Sequence, residues 1–177
     1  MCLGAIGPLD GSADELRKKF ESMIEEPNAF SQERGLIALG RLGEHAKGSA
    51  DFVKGLLENK DFSQRPEAAL ALWEISGDSE SALAELKARI DDKTYDTRVL
   101  KALKSMGPAS VPMLDILLPM LETDDSSLQL VIAEIMVAMG KEGAAHVEKI
   151  RPLAKLAPPE IALQLDDAVA ELDAMRE

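Results

Sequence analysis

Sulfur, imidazole and aromatic groups are scarce in this chain, and so is positive charge. The one cysteine, Cys2, excludes an internal disulfide and a cysteine zinc cluster. No basic residue stands near it in sequence to hold it as a thiolate, so an inert thiol is expected. The two histidines, His45 and His146, fall in non-equivalent turns without the spacing of a ligand pair. They are expected to face solvent, and no metal site is expected. Aromatic residues make up 3% of the chain and stop at Tyr95, which leaves little with which to stack bases. Lys and Arg number 20 against 32 Asp and Glu, a net charge of −12 that repels phosphate backbones and anionic lipid. Neither a nucleic acid nor a membrane is therefore an expected partner. No apolar run reaches the roughly 18 residues a bilayer span needs, because Asp115 and Glu134 interrupt the best candidates. Residues 1–9 are apolar but carry no basic leader and are too short for a secretory signal. A cytoplasmic protein is expected from these absences.

What the chain does have is a beat. Its 177 residues are 46% hydrophobic, ample for one domain or one compact array with a buried core. A helical ending of the form apolar, any, any, apolar recurs as Leu3/Ile6, Leu39/Leu42, Leu72/Ile75, Leu103/Met106, Met136/Met139 and Leu172/Met175, at intervals of 36, 33, 31, 33 and 36 residues. Glycine follows directly at Gly7, Gly43, Gly107 and Gly140, and one place later at Gly77. Glycine just past a helix adopts the left-handed conformation that caps the last carbonyls. Phe30-Ser31-Gln32 recurs as Phe62-Ser63-Gln64, each read as a helix opening with Ser as N-cap. Pro119 and Pro152 each stand 13 residues after Met106 and Met139. A period of this length marks a repeat architecture.

Each period reads as two helices. The first of each pair spans 12–25, 49–59, 79–91, 110–122 and 143–156, most opening at Ser12, Ser49, Ser79 or Ser110. The second spans 31–42, 64–76, 96–106, 126–139 and 159–175. Leu16, Phe20 and Ile24 form one apolar stripe, and Leu83, Leu86 and Ile90 another. No segment alternates as a half-buried strand would, so the chain is expected to be all-α.

The period, the two-helix unit and the phrase Ala38-Leu39-Gly40-Arg41-Leu42-Gly43 resemble the HEAT-repeat family, closest to its short bacterial, phycobilisome-lyase-like type. Gly107-Pro108-Ala109-Ser110-Val111-Pro112-Met113-Leu114 is similar to that family's inter-helix turn. The stretch 140–147 is similar in the same way, less neatly. The third repeat departs from the pattern, with Trp73 where Gly40 stood and its glycine displaced. The resemblance implies a right-handed alpha-alpha superhelix, an armadillo-like alpha-solenoid of about five helical pairs. A single array over 1–177 is expected, with repeats at 8–43, 44–76, 77–107, 108–140 and 141–177. Residues 1–7 read as the remnant of a preceding second helix, so the chain is expected to be a piece of a longer array. The acidic end, with Asp166, Asp167, Glu171, Asp173 and Glu177, reads as a polar cap.

No catalytic constellation is present, so no catalytic residue and no cofactor is expected. A HEAT-like metal hydroxylase needs repeated His-Glu pairs, whereas Glu44-His45 is reversed and single. A HEAT-like DNA glycosylase needs a cationic, aromatic groove. Asp91-Asp92, Asp124-Asp125 and Asp166-Asp167 are read as helix-boundary carboxylates serving the helix dipole.

Helical geometry indicates a surface. With the first anchor of each second helix as position zero, offsets −4, −3, 0 and +3 face inward and are apolar or small in every full repeat. Offsets −5, −2, +1 and +2 then face away, and in the resembled family the second helices line the concave side. That predicts a groove holding Ile37, Leu70, Trp73, Val131 and Val137, flanked by Arg34, Arg41, Arg98, Lys101 and Lys104. Glu67, Glu74 and Glu134 stand close enough to pair with those cations. An apolar centre with a charged rim and a tryptophan is the composition of a protein-binding patch. The expected function is non-enzymatic: a scaffold that binds another protein through an acidic and apolar segment. Two alternatives stand beside it. One, carried by the resemblance alone, is a lyase or lyase subunit acting on a tetrapyrrole-bearing protein. The other is a structural segment of a larger HEAT-repeat protein, self-associating through Leu3 and Ile6 at the amino-terminal repeat face.

Overall fold

A computed structural model describes residues 12–91 and 97–176. The described residues are all-helical and contain no strand. Their α-helices are α1 (Ser12–Glu25), α2 (Ala29–Leu42), α3 (Ala50–Glu58), α4 (Arg65–Ser76), α5 (Ser79–Asp91), α6 (Thr97–Met106), α7 (Leu114–Met120), α8 (Ser126–Met139), α9 (Lys141–Ala144), α10 (Arg151–Ala154) and α11 (Pro159–Met175). The chain divides into two compact units, residues 1–85 and 86–177. None of the described helices is long and apolar enough to cross a membrane. The apolar start through Leu3 and Ile6, with Cys2, lies outside what the structure describes, and so does Asp92 of the pair Asp91-Asp92.

In the first unit α1 packs on α2, α3 on α4, and α2 on α4. Its core gathers Ile24 of α1, Leu36, Leu39 and Leu42 of α2, Val53 of α3, and Ala68, Leu72 and Ile75 of α4. In the second unit α7 packs on α8 and α10 on α11, while α6, α8 and α11 lie against one another in succession. The sixteen inward positions of α2, α4, α6 and α8 are all buried. Each fully buried Leu, Ile or Met among them contributes about 1.5–3 kcal/mol relative to exposure.

The second helix of each pair is continuous, whereas several first helices are broken. The expected 49–59 is found as α3, entered through a 3-10 turn (Gly43–Ser49), whereas in place of 110–122 a second such turn (Gly107–Met113) leads into the seven-residue α7. The segment 143–156 is divided into α9, a 3-10 turn (Val147–Lys149) and α10. Pro112, Pro119 and Pro152 lack the amide hydrogen a continuous helix needs. Arg151 ties the last fragment to α11, its Nη2 donating to both oxygens of Asp173 at 2.9 and 3.0 Å.

The helix ends differ in detail from expectation. Gly43, Gly77, Gly107 and Gly140 all have positive φ. Gly77 is a left-handed cap, at φ 74 and ψ 7, where it donates to Trp73 O at 2.7 Å. Gly43 and Gly140 sit near ψ −130, a region open only to glycine, and turn the chain at once into the next element. The N-caps expected at Ser31 and Ser79 are taken by neighbours. Asn28 caps α2 by accepting from Phe30 N and Ser31 N, and Asp125 caps α8 by accepting from Ser127 N and Leu128 N. Asp78 accepts from Ser81 N at 2.9 Å in the first turn of α5. Ser49 is buried and donates instead to Glu21 of α1 at 2.7 Å, and Ser110 to Gly107 O at 2.6 Å. Asp124-Asp125 does stand at a helix start, but Asp166-Asp167 lies in the middle of α11.

Candidate protein-binding surface

The first unit carries Arg34, Ile37 and Arg41 on α2, with Leu70 and Trp73 on α4. Residues three and four apart share a helix face, and α2 leaves Phe30, Arg34, Ile37 and Arg41 exposed along one line. The Arg34 guanidinium lies over the Phe30 ring, 4.4 Å from its centroid. At an exposed site such a contact is worth about 0.5–1 kcal/mol, which holds the cation and the ring as one surface.

Beside this line a cleft of about 210 Å³ opens between α2 and α4. Leu36, Ile37, Leu70 and Ala71 supply its apolar wall, and Arg41, Glu67 and Glu74 its polar edge. Three of the residues expected on the groove, Ile37, Arg41 and Leu70, thus meet in one depression. Trp73 is half-buried on α4 and does not line it. Gly40, at an outward offset, is instead buried. A β-carbon there would collide with the Glu74 carboxylate and lie 3.5 Å from Ala71 Cα, so α2 and α4 approach closely at this point. Glu74 is exposed as a residue, yet its carboxyl end rests in that contact. Burial pushes its pKa upward, against the opposing pull of Arg41.

The second unit carries Arg98, Lys101 and Lys104 on α6, with Val131 and Val137 on α8. Lys101 and Lys104 are exposed, while Arg98, Val131 and Val137 are half-buried. Lys104 Nζ meets Glu134 Oε2 at 2.8 Å, the neighbouring-carboxylate pairing that its position allows. Lys104, Glu134 and Val137 border a cleft of about 310 Å³ whose other side is Gln164, Asp167, Ala168 and Glu171 of α11. Three carboxylates and one ammonium make this edge acidic, not basic as the α6 cations alone suggest.

His45 is exposed in the 3-10 turn before α3, while His146 is half-buried at the start of a short turn. No group of three His, Cys, Asp or Glu able to hold a metal occurs among the described residues. Three surface residues were not anticipated: Phe30, Leu156 and Leu163 are large, apolar and exposed. Phe30 and Leu163 each stand nine residues before an anchor, Leu39 and Leu172. At about 100° per residue that is the side opposite the core, so the helical wheel continued one turn further would have found both.

Comparison with models of known protein families, with curated proteins and with solved structures finds no match.

Proposed function

We propose that the chain is a HEAT-like alpha-solenoid of about five helical pairs, right-handed, acting without catalysis as a protein-binding scaffold. Its second helices form the binding face, and the partner is a segment carrying apolar and acidic side chains. The observation that carries this is the exposed line Phe30, Arg34, Ile37 and Arg41 beside the α2–α4 cleft. Further support comes from the successive packing of α6, α8 and α11, the neighbour relation that a helical-repeat stack requires.

An apolar partner residue enters the cleft against Ile37 and Leu70, and the arginines select carboxylates beside it by complementary charge. Apolar burial supplies affinity, because a well-packed anchor contributes roughly 2 kcal/mol or more, whereas an exposed ion pair gives under about 1 kcal/mol. The half-buried Trp73 belongs to the same unit, and in the other unit the cations of α6 offer the same chemistry by themselves. Cytoplasmic placement goes with this role.

Affinity capture from a lysate of the source organism tests it, comparing the unmodified chain with an Arg34→Glu, Ile37→Glu variant of equal helicity. A partner retained by the first and lost by the second is the expected outcome. Equal recovery by both overturns the assignment of the face.

A further inference from the structure

Among the described residues four large apolar side chains stand out in solvent: Phe30 at 60% exposure, Ile37 at 38%, Leu156 at 83% and Leu163 at 67%. They are not scattered. Phe30, Arg34, Ile37 and Arg41 follow one another at steps of four, three and four residues, and Glu160, Leu163 and Asp167 repeat the three and the four on α11. The first line is apolar and cationic, the second apolar and anionic. Arg34, Arg41, Glu160 and Asp167 are all exposed. Glu160, Leu163 and Asp167 belong to α11, whereas Leu156 stands in the turn before it, off the helix.

We propose that the partner of the α2 face is a second copy of this chain, which docks the α11 face there; this rests on α2 being a protein-binding surface. Laid side by side in the same direction, the two helices set Ile37 against Leu163. Arg34 then falls opposite Glu160 and Arg41 opposite Asp167. Matching steps of three and four make all these pairings possible at one register. Packed helices lie about 8–10 Å apart, within reach of an Arg and a carboxylate. Charge on the flanks is mixed: Asp166 and Glu171 add to the anionic side, while Glu33 on α2 opposes them.

Two observations favour this occupant over an unrelated segment. It covers Ile37 and Leu163, with Phe30 at the edge of the contact, so three of the four large apolar side chains that the described residues leave in solvent are engaged. It also gives four exposed charges counter-ions, and no ion pair among the described residues engages Arg34, Glu160 or Asp167. The net −12 of each copy opposes approach, but at 0.15 M salt the screening length is about 8 Å, so long-range repulsion is damped while contacting pairs survive. One helix face per partner falls below the roughly 1,200 Å² of a stable complex, so the association is weak, with Kd on the order of 10–100 µM. The contact is heterologous: each bound copy still offers one free α2 face and one free α11 face, so growth does not stop at a dimer.

Sedimentation of the full chain at 0.15 M salt, from about 5 µM to 1 mM, tests this. The unmodified chain should rise steadily in average mass without a dimer plateau. An Arg34→Glu, Arg41→Glu variant and a Glu160→Lys, Asp167→Lys variant should each lose association at least tenfold. An equimolar mixture of the two should recover it, because every contact between them is again of opposite sign. All four positions are exposed, so circular dichroism should show the helicity unchanged, and Leu163→Ser should weaken association without altering charge. A monomer throughout the range, undiminished association of the variants, or no recovery on mixing overturns the proposal. If the chain stays monomeric yet a foreign partner is captured through α2, the face is a binding surface and only its occupant is misassigned. If association is intact in both variants, it runs through another face, and lysate capture then decides separately whether α2 binds anything.

Discussion

Gly40 of α2 lies directly beneath the carboxylate of Glu74 of α4, so that a β-carbon on the first would strike the end of the second. Five residues earlier on the same helix, Gly35 faces something less forgiving. A β-carbon there would stand 2.8 Å from Phe20 O and 2.7 Å from Ile24 Cγ1 of α1. Alanine gains up to about 1 kcal/mol over glycine in a helix interior. At Gly40 the obstacle is a flexible side-chain end that can swing away, so Gly40→Ala should be neutral or stabilising by up to that amount. At Gly35 the obstacle includes backbone, and overpacking costs about 1–3 kcal/mol. Gly35→Ala should therefore lower the urea midpoint while Gly40→Ala does not.

Two carboxyl groups give stability opposite dependences on pH. The amide and hydroxyl of Ser81, helped by Lys54, hold Asp78 below its ordinary 3.8. Its stabilisation is therefore full above that value and is lost as pH falls through the lower, folded-state pKa. Burial holds Glu74 above its ordinary 4.5, so the folded state favours its protonated form. Its destabilising effect grows as pH rises from about 4.5 through the raised, folded-state value, and is complete above it. Glu74→Gln should flatten the pH dependence above 4.5 and stabilise the chain at neutral pH. Asp78→Ala should remove stability at neutral pH, by about 1 kcal/mol for a lost cap, and less at low pH. Denaturant titrations at pH 3, 5 and 7 distinguish the two.

Gln129 is a buried polar side chain in an apolar helix. Its Nε2 donates to Thr123 O at 2.7 Å and to Leu121 O at 3.2 Å, closing the turn between α7 and α8. Gln129→Leu leaves those carbonyls without a donor, at a cost of about 1–3 kcal/mol. Thermal unfolding should show a fall in Tm of several degrees, larger than for the exposed substitution Ser127→Ala.

On the binding face the apolar residues should outrank the charged ones. Trp73→Ala and Leu70→Ala are expected to weaken partner binding more than Lys101→Ala, by about tenfold against a few fold. Titration calorimetry with the captured partner gives the order directly, and the reverse order assigns the energy to charge.

The helices and their buried faces were legible because the anchors Leu39, Leu72, Leu103 and Met136 fix a rotational register. Every side chain at an inward offset from them is buried. Where the register slips, sequence likeness misleads. Phe30-Ser31-Gln32 and Phe62-Ser63-Gln64 are 32 residues apart, while their anchors Leu39 and Leu72 are 33 apart. Phe30 is solvent-exposed inside α2, whereas Phe62 precedes α4, outside any helix, and is 8% exposed in the core, so the shared phrase marks two different local structures. The caps at Ser31 and Ser79 were missed for a different reason: Asn28 starts α2 ahead of Ser31 and Asp78 caps α5 ahead of Ser79, and the loop path that decides this is absent from a periodic pattern. Gly40 was placed outward because its offset says so. Its burial comes from the crossing of α2 and α4, which one helix's periodicity does not contain.

Photo-crosslinking in a lysate of the source organism tests the central claim most directly, with the reactive side chain placed at position 37 on α2 or at position 58 on α3. Both residues are exposed, but only the first belongs to the face of second helices. The expected result is a crosslinked protein, a second copy of the chain among the candidates, from position 37 and none from position 58. Crosslinks from position 58 alone would contradict a binding face built from the second helices.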